Sequence, residues 1–510
     1  MIEVRRPKDY EVNSLSLSAT QNTAMLYQRL AKQAKTHGNK TAISGETRNL
    51  TFAQLFEEST AVAAYLQAQG VKLGDPIMIG IPPSPEFYVV FYAAAALGLI
   101  VLPVLPSGRI PQLIVERKPV LAVGDERFLA QARRHCRALK YTISWNREHG
   151  LEFQRSKSRL RRVQVFRDQC VIGVSSSGST GTPSIYYRSQ ELLVRRAEFR
   201  AKALGINADD VLLSARPFNS GSSVNSHIIM PLVAGCKIVV QENFKRFQAA
   251  DAISRELVSV LYAVPFVFEM LASIPSDYPT NFSSLRLCIS GSAPLTESMA
   301  ASFYRRFGVE IRQRYGGSHI HPAFTYNVNG APGAVGQNFG AFPIAVVDEN
   351  GDEQGAETIG ELAFDYYRVT RPWKKYLKDN PNRRGRYIFT GDLGRMDRDG
   401  NVFIVGRKSP FIKVRGNRVE PAEVEAVLRS HPDVKEAFVY PVAQGRPNET
   451  VGALVVAKAI KIVDLLRYCA ERLDGYKCPR KIAFRKSLPR TPHGKLARSV
   501  LNDELANENL

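Results

Sequence analysis

The amino-acid sequence predicts an α/β protein with a large multi-layer N-terminal domain on parallel sheets, a small β-barrel-like subdomain, and a small α+β C-terminal domain. Three observations carry this. Short apolar runs alternate with helix-like patterns as far as residue 290; from Gly333 the texture turns to alternating segments around tight turns; and a compact block of strands and helices follows Gly406-Arg407. In chain order, residues 53–68 read as an amphipathic helix and 77–81 as a strand. The uncharged stretch 87–105 reads as a buried helix (87–97) and a buried strand (99–104), because Gly98 and Pro103 interrupt it and a spanning helix wants about 20 unbroken apolar residues. Further strands are expected at 120–123, 171–174, 211–213, 237–240, 258–264 and 285–290. Antiparallel strands 344–348 and 361–365 follow from turns such as Glu349-Asn-Gly-Asp352, and strand 402–405 follows Asp397-Arg-Asp-Gly-Asn401. The last block reads as an acidic helix 421–430, strands 436–442 and 451–458, and a helix 462–473. The division is expected between 408 and 409, giving domains 1–408 and 409–510.

Composition bounds the class. At roughly 150 residues per domain, 510 residues make two to four domains, and 44% apolar with 23% charged residues is ordinary for a globular chain. Disordered, collagenous and multi-span membrane classes are excluded. The 69 Lys and Arg against 48 Asp and Glu leave a net charge of +21, which predicts an anionic partner. Six cysteines without C-x-x-C spacing argue against a zinc site or disulfide framework and for a reducing, cytoplasmic setting. The start Met1-Ile-Glu-Val-Arg-Arg has charge with no apolar stretch behind it, so no signal peptide is expected.

The chemistry begins at a loop. The strand 171–174 runs into Ser175-Ser-Ser-Gly-Ser-Thr-Gly-Thr-Pro183, where every residue but the last is Ser, Thr or Gly. Such a backbone can approach phosphate oxygens and surround them with N–H groups and hydroxyls. A Walker-type P-loop fits poorly: Ser179-Thr180 stand where Lys-Ser/Thr belongs, and strand-like Ile185-Tyr-Tyr187 follows instead of a helix.

Read with five further segments, the loop resembles the signature of the adenylate-forming (AMP-binding) superfamily of acyl-CoA synthetases, luciferases and peptide-synthetase adenylation domains. Ser176-Ser-Gly-Ser-Thr-Gly-Thr-Pro183 resembles its phosphate-binding segment, Ser290-Gly-Ser-Ala-Pro-Leu295 its adenine-flanking segment, and Arg314-Tyr-Gly-Gly-Ser318 its Tyr-Gly-x-Ser/Thr motif. Tyr387-Ile-Phe-Thr-Gly-Asp392 resembles the ribose-binding segment. Gly406 to Gly416, with Val419-Glu-Pro-Ala-Glu-Val-Glu425, resembles the hinge and thioester-forming segment, and Pro489-Arg-Thr-Pro-His-Gly-Lys-Leu-Ala-Arg498 the terminal catalytic-lysine motif. All six fall in the family's order and span nearly the whole chain.

The resemblance implies two half-reactions. A carboxylate attacks the α-phosphorus of ATP, giving an acyl-adenylate and pyrophosphate; a thiol then displaces AMP. Bringing two anions together demands positive charge, and Lys495 is expected to bridge them as the main catalytic residue. Thr180 is expected to serve the phosphates and Mg²⁺, with Ser176, Ser177, Gly178, Ser179 and Gly181 around them. Ser292, Ala293, Pro294, Arg314, Tyr315, Gly316, Gly317 and Ser318 are expected along the nucleotide, Tyr315 offering a ring face to adenine. Asp392 suits two ribose hydroxyls because a carboxylate only accepts, and Arg407 would contact ribose or phosphate. For the thiol step the small domain is implied to be mobile, with Ser409 at the hinge and Lys413 and Gly416 beside the pantetheine arm.

Two positions depart from the pattern. His319 stands where a magnesium-binding Glu is usual, and imidazole is a poor ligand for so hard a cation; Ser184 stands where relatives carry Lys. A catalytically degenerate nucleotide-binding homologue therefore stays open as an alternative. The acyl pocket is expected from Phe218, Asn219, Ser223, His227 and Gly291. No Asp occurs between Arg216 and Gly235, which disfavours an α-amino acid, while the many small polar residues there (Ser220, Ser222, Asn225 and Ser226 among them) leave the acid's length open.

The charge concentrates in two runs. Residues 133–167 hold eleven basic against two acidic residues, and 461–498 eleven against three. ATP, the phosphates of CoA, or an acidic carrier protein would answer them; nucleic acid is not expected, since no aromatics interleave at stacking spacing. The expected enzyme is thus an ATP-dependent ligase joining a small carboxylic acid to CoA, with loading of a carrier protein's phosphopantetheine as the rival and no membrane span.

Overall fold

The structure, a computed structural model, describes residues 25–105, 110–154, 159–176, 184–292, 297–316, 325–327, 333–338, 343–348, 350–368, 382–407, 411–443 and 449–489, with 295, 331, 501, 504 and 505. Of Ser175, Ser176, Ser184, Tyr326, Asn338, Gly406, Arg407 and Ala422 only the backbone is described.

Two sheets face each other across buried helices. One has seven strands, in the order Gly150–Glu152, Tyr141–Asn146, Leu121–Gly124, Pro76–Gly80, Ile100–Pro103, Cys170–Ser176, Ser184–Ser189, parallel at its centre and antiparallel at both ends. The other runs from Thr41–Ser44 through the parallel strands Lys237–Val240, Val211–Ser214, Val260–Ala263, Leu287–Ser290 and Ile311–Tyr315. The same sheet then continues antiparallel through Thr325–Tyr326, Gly336–Asn338, Asn401–Arg407, Tyr387–Met396, Gly360–Asp365 and Ile344–Val347. Among the described residues, the expected barrel-like subdomain is this antiparallel extension of the large sheet. Strand texture predicts antiparallel pairing, but which strands meet is a long-range choice the local pattern does not carry.

The uncharged stretch forms the helix Pro85–Leu97, buried at every residue, and then the strand Ile100–Pro103. Gly98 closes the helix at φ +68, a left-handed conformation that glycine adopts without a Cβ penalty. The Tyr88 hydroxyl donates to the carbonyl of His227 and the Tyr92 hydroxyl to that of Ile228, each at 2.8 Å. Both acceptors belong to the π-helix Val224–Ile229, a segment whose widened turn is frequent at functional sites. No helix among the described residues is long and apolar enough to cross a membrane.

From Ile412 onward the chain builds a core of its own. The hairpin Ile412–Val414 and Asn417–Val419, the helices Pro421–Arg429 and Ile462–Ala470, and a three-stranded sheet of Val434–Val442, Thr450–Ala457 and Lys481–Phe484 bury one apolar cluster. Part of the basic run is internal. Lys477 is buried, its Nζ 2.8 Å from Glu423 and 3.2 Å from Asp474, so it holds this small core together rather than facing a partner.

Candidate active site

Val211–Ser214, Val260–Ala263, Leu287–Ser290 and Ile311–Tyr315 are parallel neighbours, so they end on one edge, where open α/β sheets bind ligands. The segments that leave this edge begin at Ala215, Val264, Gly291 and Gly316. The other sheet reaches the same place: a Cβ on Gly221 would stand 3.7 Å from the Val174 side chain. Val174 lies on Cys170–Ser176, which pairs antiparallel with Ser184–Ser189, and Ser176 is opposite Ser184. The Ser/Gly loop thus joins two strands and opens no helix, in agreement with the argument against a P-loop.

Three residues expected to contact the nucleotide are brought together. The Tyr315 hydroxyl donates to the Asp392 carboxylate at 2.5 Å, and the Asp392 N–H donates to the Thr390 hydroxyl at 3.0 Å. Asp392 is the cross-strand partner of Arg407, so these two lie side by side at the end of paired strands. Ser292, just past the end of Leu287–Ser290, takes φ +69, a backbone state uncommon outside glycine and frequent at ligand sites.

Arg314, expected along the nucleotide, lies against Gly291, a residue expected in the acyl pocket. Successive residues of a strand point to opposite faces, so Tyr315 and Arg314 diverge. The Arg314 guanidinium crosses Gly291, where a Cβ would sit 2.8 Å from its Cγ and Nε, stacks 5.3 Å from the centroid of Tyr262, and donates from Nη2 to the Ser222 hydroxyl at 2.5 Å. Arg216 opens the segment 216–224 that the sequence places around the acyl pocket, whereas nothing local marks the isolated Tyr262 as facing a site.

The expected acyl-pocket residues divide. Gly291 lies against Arg314, and Asn219 is half-buried nearby in sequence. Phe218 is a core residue, edge-on to Phe87 and Tyr88 at 5.0 and 5.5 Å. The Ser223 hydroxyl is engaged in a capping box with Ser220. Asn225 and Ser226 accept from Arg200 Nη1 at 2.9 and 3.1 Å, which ties the π-helix to the helix Gln190–Ala203. Polarity here marks an internal network, not an open lining.

His227 is fully buried, Nδ1 3.2 Å from the Ser223 carbonyl and Nε2 3.1 Å from that of Tyr262. Burial and then the positive charge of Arg216 push its pKa down from 6.5 to about 3. The unfolded imidazole takes a proton below its ordinary value and the folded one does not, so stability falls as pH drops from 6.5 toward 3. At pH 5 the loss from this group is about 2 kcal/mol. Denaturant unfolding of His227→Gln at pH 7.5 and 5 should show a difference smaller by about that amount; identical pH dependence would refute it.

The hairpin of the C-terminal core approaches the same edge. Arg415 and Gly416, at φ +49 and +81, form its two-residue turn, a left-handed pair of the kind that hairpins favour. A Cβ on Gly416 would stand 2.8 Å from Cγ1 of Val264, the residue before the helix Pro265–Ala272. Lys413 sits on the adjoining strand, its Nζ 5.1 Å from the ring centre of Phe411. Ser177, Gly178, Ser179, Thr180, Gly181, Ala293, Pro294, Gly317, Ser318, His319, Ser409 and Lys495 lie outside the described residues. Among the described residues no three His, Cys, Asp or Glu side chains converge on a metal site.

Comparison with known proteins gives consistent matches. The family model described as AMP-binding enzyme matches residues 30–372, and that described as AMP-binding enzyme C-terminal domain matches 423–495. An indoleacetate–CoA ligase of Aromatoleum aromaticum is 27% identical over 489 residues, covering 92% of this chain and 96% of that protein. A 4-coumarate–CoA ligase of Nicotiana tabacum is 28% identical over 506 residues, covering 91% of each. Among solved structures, o-succinylbenzoate CoA synthetase from Bacillus subtilis superposes with a TM-score of 0.80 at 23% identity, over 93% of this chain and 98% of that one. The amide bond synthetase McbA from Marinactinospora thermotolerans gives 0.79 at 21%, over 94% and 99%. At these identities the two structures share the fold.

Proposed function

The chain belongs to the AMP-binding enzyme family, and on that footing we propose that it is an ATP-dependent ligase of the acyl-CoA synthetase type, forming an acyl-adenylate and then a thioester on CoA. The observation that carries this reading is the pair of opposed faces on Ile311–Tyr315: Tyr315 reaches Asp392, and the neighbouring Arg314 reaches the acid side. One strand end thereby sets the nucleotide against the acid.

In the first step a carboxylate oxygen bonds to the α-phosphorus and pyrophosphate leaves. Asp392 holds the ribose hydroxyls, and Lys495 offsets the charge of the two approaching anions. We assign Mg²⁺ to the triphosphate with the Thr180 hydroxyl, and His319 to a phosphate oxygen, since imidazole is a poor magnesium ligand. In the second step the thiol sulfur bonds to the acyl carbon, the acyl–phosphate C–O bond breaks, the thiol proton is lost and AMP leaves. We place the domain division at 408/409 with Ser409 as hinge, and the pantetheine arm beside Lys413 and Gly416. The cellular setting we propose is the cytoplasm, consistent with six unpaired cysteines.

The test is acid-dependent ATP–pyrophosphate exchange followed by thioester formation with CoA. Exchange with no acid of a broad panel would overturn the reading in favour of a degenerate binding homologue. The basic runs support a second acceptor, an acidic carrier protein; transfer to carriers but not to CoA would replace CoA in this account. Gly416→Val separates the steps. Its Cβ meets Val264 and its φ disfavours a β-branched residue, so thioester formation should fall by about a hundredfold while exchange changes less than about threefold. Equal losses in both steps would remove Gly416 from the thiol path.

A further inference from the structure

One cation at this edge has no task in the mechanism above. Arg216 follows the strand Val211–Ser214; its Nη1 is buried and has no hydrogen-bond partner, and among the described residues no carboxylate pairs with it. The charge nearest in effect is another guanidinium, that of Arg314, and the field of Arg216 is also felt at His227. Burial and then the like charge of Arg314 pull its pKa down to about 10, so it stays protonated at neutral pH. A guanidinium has five donors and no acceptor, and leaving one inside a protein without a counter-charge is costly. The residue as a whole is half-buried, while the Nη1 itself is buried and unpartnered.

The chemistry of that ligand follows by elimination. An ammonium would be repelled by two guanidinia. An apolar tail would strand Arg216 further from any acceptor. A carboxylate matches the planar fork of donors and supplies the missing charge. It is not the reacting carboxylate, because Arg314 leaves its strand on the face opposite Tyr315, away from the Tyr315–Asp392 arm that orients the nucleotide. We propose that Arg216, with Arg314 beside it, binds a second carboxylate at the far end of the acid, so that the substrate class is dicarboxylic acids. The inference rests on the ligase reading for the identity of the occupant.

The test uses the full chain, straight-chain four- to six-carbon dicarboxylates and their mono-methyl esters, which keep one reacting carboxylate and lose the second charge. Calorimetry without ATP should give dicarboxylate binding tighter than half-ester binding by about thirtyfold or more. Arg216→Met should erase that preference and Arg216→Lys keep part of it, and the same ranking should appear in the acid KM of exchange. Equal binding of diacid and half-ester by the unaltered protein, or an undiminished preference in Arg216→Met, overturns the proposal. If the preference depends on Arg216 but no acid supports exchange, the ligase reading fails and the anion site stands. If monocarboxylates support exchange and no diacid preference exists, the anion site fails and the ligase reading stands.

Discussion

Asp392→Ala is expected to raise the KM for ATP by about a hundredfold or more in pyrophosphate exchange. Two losses combine. The ribose hydroxyls lose a charged acceptor, each such bond contributing about 1.5–3 kcal/mol. The Tyr315 hydroxyl, 2.5 Å from that carboxylate, loses its partner as well. Asp392→Asn keeps one acceptor oxygen and should cost about tenfold. Tyr315→Phe removes only the anchor and should raise the same KM a few-fold, with acid KM unchanged. An unaltered ATP KM in Asp392→Ala would take the carboxylate out of nucleotide binding.

Lys495→Ala is expected to lower the exchange rate by about a thousandfold or more through kcat, with the folded state intact. The carboxylate and the α-phosphate repel as they approach, and a cation positioned between them acts mainly where charge builds up in the transition state. Ground-state affinity for ATP should therefore change little. Thioester formation from a synthetic acyl-adenylate should survive, because that step no longer joins two anions. Exchange at the unaltered rate would refute the role.

The layered α/β order was legible because a period of two and a period near 3.6 are local properties: the Phe52–Ala68 helix and the Pro85–Leu97 helix both fall within two residues of expectation. The Tyr315–Asp392–Arg407 grouping was legible through motif resemblance, and the register of Tyr387–Met396 on Asn401–Arg407 puts two of its members side by side. What stayed hidden depended on long-range packing. Asn225, Ser226 and His227 read as pocket polarity, yet Arg200 and two backbone carbonyls claim them, a fact set by a helix more than twenty residues away. Arg314 read with its motif neighbours, but the pleat turns it the other way, and only the neighbouring strands say which face meets the acid. The basic runs read as surface, while Lys477 forms buried ion pairs that no charge count distinguishes.

The adjacency of Arg314 and Tyr315 has an evolutionary corollary. In the function proposed above, two recognition tasks hang on consecutive codons, yet the strand isolates them as a wall isolates two rooms. Drift at 314 would retune acid choice while ATP handling at 315 is preserved, so relatives could diverge in diet without relearning their energy source. The tolerance has a limit at Gly291: any side chain there displaces Arg314, making that glycine a covarying partner rather than an independent site. Libraries that vary 291 and 314 together, with 315 untouched, are the shortest route to altered acid specificity.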